Sequence, residues 1–313
     1  MTEQQQQTET AKQAFEWPAN EPPHPQNLAL ASQLYTTLMP GGPATTVVTT
    51  HLPSGWSSND VVQVSTCSPT DQRRFTVKLP RHQVSSCIAA NCKAEALRTN
   101  WASKHGFGPK VLAIDEESGG FAMEYIEGRT LTMEMMTDRL PQIVDLLRRI
   151  HGAEPFEGMK RYDPMEVVRE NLSLVKERNA MRSDDIRLVE SVIRNAEQQV
   201  IDHPWMPCHN DFHSHNVMLD NTERMLAIDF EDCDLGDPMW DLAYLTANLE
   251  LELDPSSLED LYGASGEDRR RVRAYVPLAL AHYATWAALH GGVWTQHQEE
   301  VMGRLRKVVV DLD

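Results

Sequence analysis

Between Pro207 and Asp232 the chain runs from a proline through a dense polar cluster into two short apolar stretches, and few architectures accommodate that order. The segment "CHNDFHSHNVMLD", residues 208–220, holds three histidines, two aspartates and two asparagines in 13 positions. "VMLD" and "MLAIDF" then flank "NTER", which reads as a tight hairpin of two short strands. The polar cluster must therefore lie on a loop at one end of that hairpin. A transition-metal reading would use His209, His213 and His215 with Asp211 as ligands. On a helix His209 and His213 would share a face, but Pro207 before them and the strand after them rule a helix out. The crowding of a carboxylate and an asparagine into the same turn also sits poorly with zinc, which takes nitrogen and sulfur ligands.

Around this segment the periodicity changes once. From about residue 45 to 125 the pattern is strand-like: "TTVVTTHL" and "DVVQVSTC" flank "PSGWSSN", and "RRFTVKL" follows as a third strand. "SSCIAANCKAEALRTNWASKHG" reads as a helix inserted among the strands, and "KVLAIDEESGGFAMEYI" as two strands around a Gly-Gly turn. After residue 126, "RLPQIVDLLRRIHG", "PMEVVRENLSLVKERNA" and "SDDIRLVESVIRNAEQQVI" carry apolar residues at helical spacing, and residues 238–313 are helical again. Residues 1–26, rich in Gln, Glu, Thr and Pro, read as a disordered tail. The expected division is that tail, a β-rich lobe over 27–125 and a helical lobe over 126–313.

Charge narrows the partners. Lys and Arg number 29 against 46 Asp and Glu, a net charge of −17, which argues against nucleic acid, whose affinity comes from neutralised phosphates. A negative potential suits a cationic ligand. Five cysteines without a CxxC pair suggest a reduced, cytoplasmic protein, and the start "MTEQQQQTET" has no signal-peptide character. The most apolar late stretch, "AYVPLALAHYATWAALHGGVW", is broken by histidines, a proline and a glycine pair, so no membrane insertion is expected. Nothing in the chain bears on oligomeric state.

Spacing gives the chemistry. His209-x-Asp211-x4-Asn216 is followed by Asp229-Phe230-Glu231. Phosphoryl transfer needs a carboxylate near the attacking hydroxyl and oxygen ligands that hold Mg²⁺ against the phosphates. The hairpin would carry Asn216 and Asp229 to one edge, an oxygen pair suited to a hard cation, with Asp211 on the loop beside them.

This block resembles the catalytic loop and metal segment of the aminoglycoside phosphotransferase and choline kinase superfamily, with "HND" and "IDFED" nearer the choline and ethanolamine kinase style. The resemblance spans roughly residues 45–300 and is specific over 209–241. It implies an α+β, two-lobed protein-kinase-like fold with a small β-rich lobe and a larger helical one. It implies Asp211 as catalytic base, His209 as a loop brace beside it, Asn216 and Asp229 as Mg²⁺ ligands, and Glu231 near the metal and acceptor site. Asp237, before Pro238, is expected to cap a helix, and Asp241 to brace the loop.

In the β-rich lobe the same resemblance implies a Lys78–Glu95 pair on the ATP phosphates. It also implies phosphate contacts from Ser57, Ser58 and Asn59, and adenine pairing by the backbone from Glu124 to Ile126. Loop 53–60 has a single glycine, Gly55, where protein kinases have three.

For the acceptor, Tyr283 and Trp286 match two aromatics three residues apart that choline kinases place in a late helix. Quaternary ammonium groups are drawn to such faces by ~0.5–2 kcal/mol per contact. The expected activity is ATP- and Mg²⁺-dependent phosphorylation of a cationic alcohol, choline or ethanolamine. Trp240, Tyr244 and Trp294 are further candidates for that wall. An aminoglycoside acceptor, read by the acids of 250–272, is the alternative. A non-catalytic kinase-like binder is disfavoured because Lys78, Asp211, Asn216 and Asp229 are all present.

Overall fold

A computed structural model describes residues 25–38, 47–51, 59–66, 73–80, 86–249, 255–292 and 294–310. The first part of the chain forms a five-stranded antiparallel sheet in the order β1-β2-β3-β5-β4. Its strands are β1 (Val47–His51), β2 (Asn59–Thr66), β3 (Arg74–Pro80), β4 (Val111–Ile114) and β5 (Phe121–Glu124). Strand alternation decides what each face does. On β3, Val77 and Leu79 are buried against helix α1 (Pro25–Leu38), together with Val62, Val64, Ala31 and Leu34. Thr76 and Lys78 point the other way, into a cavity under helix α2 (Ser86–Lys104).

Helix α1 is an element the strand-and-helix reading did not include. It is fastened by Asn27, whose amide donates to Asp60 Oδ2 at 2.8 Å and to the Pro80 carbonyl at 3.0 Å. The tail expected over 1–26 lies outside the described residues up to Pro25, where this helix begins.

The chain leaves the sheet after Glu124 and enters the helical part through residues 125–127. There follow β6 (Gly128–Thr130), α3 (Met133–Asp138), α4 (Leu140–His151), α5 (Pro164–Arg178), α6 (Ser183–Gln199) and β7 (Met206–Cys208). Strands β8 (Val217–Asp220), β9 (Met225–Ala227) and β10 (Asp234–Gly236) come next. Helices α7 (Pro238–Asn248), α8 (Pro255–Tyr262), α9 (Gly266–His290) and α10 (Trp294–Val310) complete the lobe. The 25-residue α9 is its axis, packed on α5, α6, α7 and α10. A capping box starts it: the Ser265 hydroxyl accepts from the Asp268 amide and the Asp268 carboxylate accepts from the Ser265 amide.

The hairpin of "VMLD" and "MLAIDF" is present as β8 and β9, and two pairings join it that were not foreseen. β6 adds to β8, making a three-stranded sheet, and β7 pairs with β10. The second of these pairings brackets the polar loop, which leaves β7 directly. The two-lobed α+β arrangement is thus as expected. No described helix is long and apolar enough to cross a membrane.

Candidate active site

The loop after β7 is held from beneath by α7. Asp241, fully buried in the first turn of that helix, accepts from the His209 amide at 2.9 Å and the Asn210 amide at 2.7 Å. His151 Nε2 meets the same carboxylate at 2.9 Å. The Trp240 indole N–H donates to the Asn210 carbonyl at 3.0 Å, and the Asn210 side chain donates to the Asp232 carbonyl at 2.8 Å. These bonds hold Asn210 at φ +65°, a left-handed conformation that Asn tolerates better than most residues. Asp237 caps α7 through the Met239 amide at 3.0 Å and is itself gripped by Arg271 at 2.8 Å.

His209 belongs to this scaffold rather than to the reacting centre. It is buried, is not among the residues lining the cavity, and its Nε2 donates to the Ile228 carbonyl at 2.9 Å. Its place beside Asp211 is therefore that of a brace, which ties the loop to the end of β9. Trp240 likewise leaves the list of aromatic candidates, because it is fully buried and bonded to Asn210.

Asp211 reaches the cavity. Burial acts against its charge, but His213, Tyr244 and His209 outweigh that and hold the carboxyl at about 2. Asn216 donates to both the side chain (2.8 Å) and the backbone carbonyl (2.9 Å) of Asp211. His213 Nδ1 accepts from the His215 amide at 3.3 Å, which leaves its Nε2–H, 3.5 Å away, directed at Asp211. Asn216 thus spends its amide N–H groups on Asp211 and keeps its side-chain carbonyl oxygen for the cavity it lines.

Lys78 anchors the opposite end. Its ammonium lies 2.7 Å from Glu95 and 2.8 Å from Asp229, with Asp229 at φ +63° just beyond β9. Burial works against the charge, yet Asp229, Glu95 and Glu231 together hold the lysine well above its ordinary value. Burial also pushes Glu95 up to about 7 despite the pull of Lys78, and raises Glu231 with Asp229 adding to it. Oxygens of Glu95, Asp229 and Glu231 all lie within 4.8 Å of one another. Three carboxylates against one ammonium leave a surplus of hard oxygen donors and negative charge, a set that fits Mg²⁺. Glu231 therefore stands with Asp229 and Glu95 in the cavity.

Asn59 departs from expectation as well. It is buried, and its amide donates to Glu95 at 3.4 Å, bracing the lysine's partner instead of facing a phosphate. Ser57 and Ser58 lie outside the described residues. Glu124 and Ile126 line the cavity with Met123 and Tyr125. The Glu124 amide is engaged by the Lys110 carbonyl at 2.9 Å, so it is not open to a ligand.

The far wall is aromatic. Tyr283 stacks on Tyr244 with centroids 5.1 Å apart, and Trp294 meets Trp286 edge-on at 5.0 Å. All four line one cavity of about 470 Å³ with Lys78, Asp211, Asn216 and Asp229. In the described part of the acidic 250–272 segment the charges are spent elsewhere. Glu259 and Asp260 pair with Arg269, Glu267 with Arg270, and Asp268 caps α9 and meets Arg271; none lines the cavity.

Two residues escaped the sequence reading. Arg98, one turn after Glu95 on α2, donates to the Glu231 carbonyl and to Asp234, fastening that helix to the loop after β9. Its i+3 spacing from Glu95 was a visible signal. Asp232, next to Glu231, also lines the cavity.

Comparison with known proteins agrees with this geometry. The chain is 27% identical over 183 residues to protein LicA of Haemophilus influenzae, covering 57% of this chain and 53% of that protein. It is 29% identical over 192 residues to a probable choline kinase 1 of Arabidopsis thaliana, covering 56% and 53%. The chain thus spans about half the length of these curated relatives. The crystal structure of choline kinase LicA from Streptococcus pneumoniae superposes with a TM-score of 0.71 at 19% identity, over 91% of this chain and 99% of that one, which establishes a shared fold. The profile of the phosphotransferase enzyme family matches residues 48–275, well over half of the sequence and the whole of the cavity's Lys78–Asp211–Asn216–Asp229 frame, and the chain belongs to that family.

Proposed function

We propose that the protein is an ATP-dependent kinase that transfers the γ-phosphoryl group to the hydroxyl of a cationic amino alcohol of the choline and ethanolamine type. One observation carries this reading. The carboxylate suited to orient a hydroxyl and the aromatic wall suited to a cation meet in one cavity, since Asp211, Tyr244 and Tyr283 all line it and Tyr244 is stacked on Tyr283 at 5.1 Å. A small molecule with a hydroxyl at one end and an ammonium at the other spans that junction.

In this reading Lys78, steadied by Glu95, neutralises the phosphates, and the Glu124 carbonyl and Ile126 amide receive the adenine edge. Asn216 through its side-chain oxygen, with Asp229 and Glu231, would hold Mg²⁺, which supplies charge neutralisation on the phosphate oxygens when bound. Asp211 accepts a hydrogen bond from the acceptor hydroxyl and aligns it on the γ-phosphorus. A carboxyl held at about 2 is a weak base. That suits a loose transition state in which positioning contributes most and the proton leaves late.

A polycationic aminoglycoside fits less well, because the described acids of 255–272 serve arginines and a helix cap. The test is ADP release with Mg-ATP across choline, ethanolamine, thiamine and several aminoglycosides, with Asp211→Asn as the blank. Turnover on an amino alcohol supports the assignment, and turnover confined to an aminoglycoside rejects it.

A further inference from the structure

Asp232 is the one cavity carboxylate that the mechanism above leaves without a task. Its backbone carbonyl accepts from Asn210, but its side-chain oxygens accept no hydrogen bond among the described residues. The nearest cation, Arg98, is committed to the Glu231 carbonyl and Asp234. Nor does Asp232 join the oxygen cluster of Glu95, Asp229 and Glu231 beside Lys78. It lines the same cavity as Asp211, Tyr244 and Tyr283.

Among the described residues lining the cavity, the one lysine or arginine is Lys78, which Glu95 and Asp229 already engage. His282 is wedged between Trp240, Tyr244 and Tyr283, with ring centroids 6.3, 5.8 and 6.3 Å away. Its Nδ1 is buried without a partner, and burial keeps the ring neutral. The pocket therefore holds an aromatic surface, an Asp211 given over to the acceptor hydroxyl, and a second carboxylate with free lone pairs. An aromatic face attracts any cation, including one with no hydrogens to give. A carboxylate with unmet acceptor capacity is matched only by a donor, and a charge-assisted N–H···O bond is the stronger kind.

We propose that Asp232 is the specificity-determining residue of the acceptor site, receiving N–H bonds from a primary or secondary ammonium. The enzyme then favours amino alcohols that retain N–H donors over fully N-methylated ones. This rests on the amino-alcohol reading given above and names the subclass within it.

The experiment is a methylation series of ethanolamine, its N-methyl and N,N-dimethyl forms, and choline, with kcat/KM measured for the wild type, Asp232→Asn and Trp286→Ala. The wild type should prefer ethanolamine to choline by about 10-fold or more, the scale of one charge-assisted hydrogen bond. Asp232→Asn should lose about 10- to 100-fold on ethanolamine, chiefly in KM, with the loss shrinking at each added methyl and nearly absent for choline. Trp286→Ala should show the opposite order, while KM for Mg-ATP stays unchanged in Asp232→Asn. A uniform loss across the series, or a shift in the Mg²⁺ activation constant with amine KM unmoved, overturns the assignment. So does an intact ethanolamine preference in the variant. Should Asp232→Asn fail to fold, a wild-type preference for choline is by itself sufficient to reject the inference. No turnover on any of the four amines overturns the amino-alcohol reading as well, whereas turnover with the wrong order overturns this inference alone.

Discussion

Replacing Asp241 by Asn tests the claim that α7 positions the catalytic loop. The carboxylate has two oxygens and three donors: the His209 amide and His151 on one oxygen, the Asn210 amide on the other, at 2.7–2.9 Å. Asn matches the shape but turns one oxygen into a donor, so at least one buried N–H faces another N–H. An unmet buried donor costs about 1–3 kcal/mol, and each remaining bond weakens by about 1 kcal/mol when its acceptor loses charge. The expected total is about 3–5 kcal/mol, a large share of the roughly 5–15 kcal/mol that holds a protein folded. In a chain of this size that corresponds to a fall in Tm on the order of 5–15 °C. Asp211 directly follows Asn210, and a displacement of about 1 Å at such a group can lower kcat on the order of 100-fold. Thermal melting and ADP release below the new Tm measure the two effects. Thr246→Val is the control, since Thr246 is buried in the same helix and its hydroxyl meets only the Leu242 carbonyl. It should lose little stability and no turnover. Asp241→Asn with wild-type kcat, whatever its Tm, would refute the positioning role.

Asp211→Asn should bind ATP normally and lose most turnover, as equilibrium binding and single-turnover assays would reveal. The same variant should be less acid-sensitive than the wild type. A carboxyl held at about 2 in the fold and near 4 when unfolded stabilises above pH ~4, and that contribution drains away as pH falls through 2. Melting curves at pH 2–4 show whether the gap exists. Lys78→Met should raise KM for ATP by about 10-fold or more, since it removes the cation from a site where a buried pair is broken. Glu95, raised even with the lysine present, then takes up a proton in the folded state that the unfolded chain binds less tightly. The variant's stability should therefore fall as pH rises from about 5 to 8, and a flat profile would count against the pairing. Gly236→Ala places a Cβ 2.6 Å from Asn210 Oδ1 and 3.3 Å from Cys208 Cβ, so it should cost about 1–3 kcal/mol and reduce kcat through the same loop.

What could be read from the sequence was whatever local pattern encodes. The β8–β9 hairpin, the long helices and Lys78 on its strand all follow from periodicity and turn chemistry within one short window. The three-residue strands β6, β7 and β10 do not, because "GRT", "MPC" and "DLG" become strands only through partners elsewhere in the chain. Helix α1 was missed because its apolar residues sit in a polar surround and make sense only against the sheet face of Val62, Val77 and Leu79. Asn59 was misread for a related reason: a loop-end asparagine invites a phosphate role, and only the packing of α2 brings Glu95 within its reach.

The acidic run after Asp229 marks the limit of such reading. In "DFED" the carboxylates are neighbours on paper and invite assignment as one metal-binding group. In the folded chain a turn follows, with the Cys233 amide bonded to the Phe230 carbonyl at 3.3 Å, and consecutive side chains diverge. Glu231 stands with Glu95 and Asp229 beside Lys78, while Asp232 lines the same cavity without joining that cluster. Whether a carboxylate joins the cluster beside Lys78 or stands apart from it is therefore set by one turn of backbone. Composition is blind to it, and a family motif carries it over only where the turn and the residue both match. On the proposed reading, Asp232 is thus where a substrate preference of this chain would be decided.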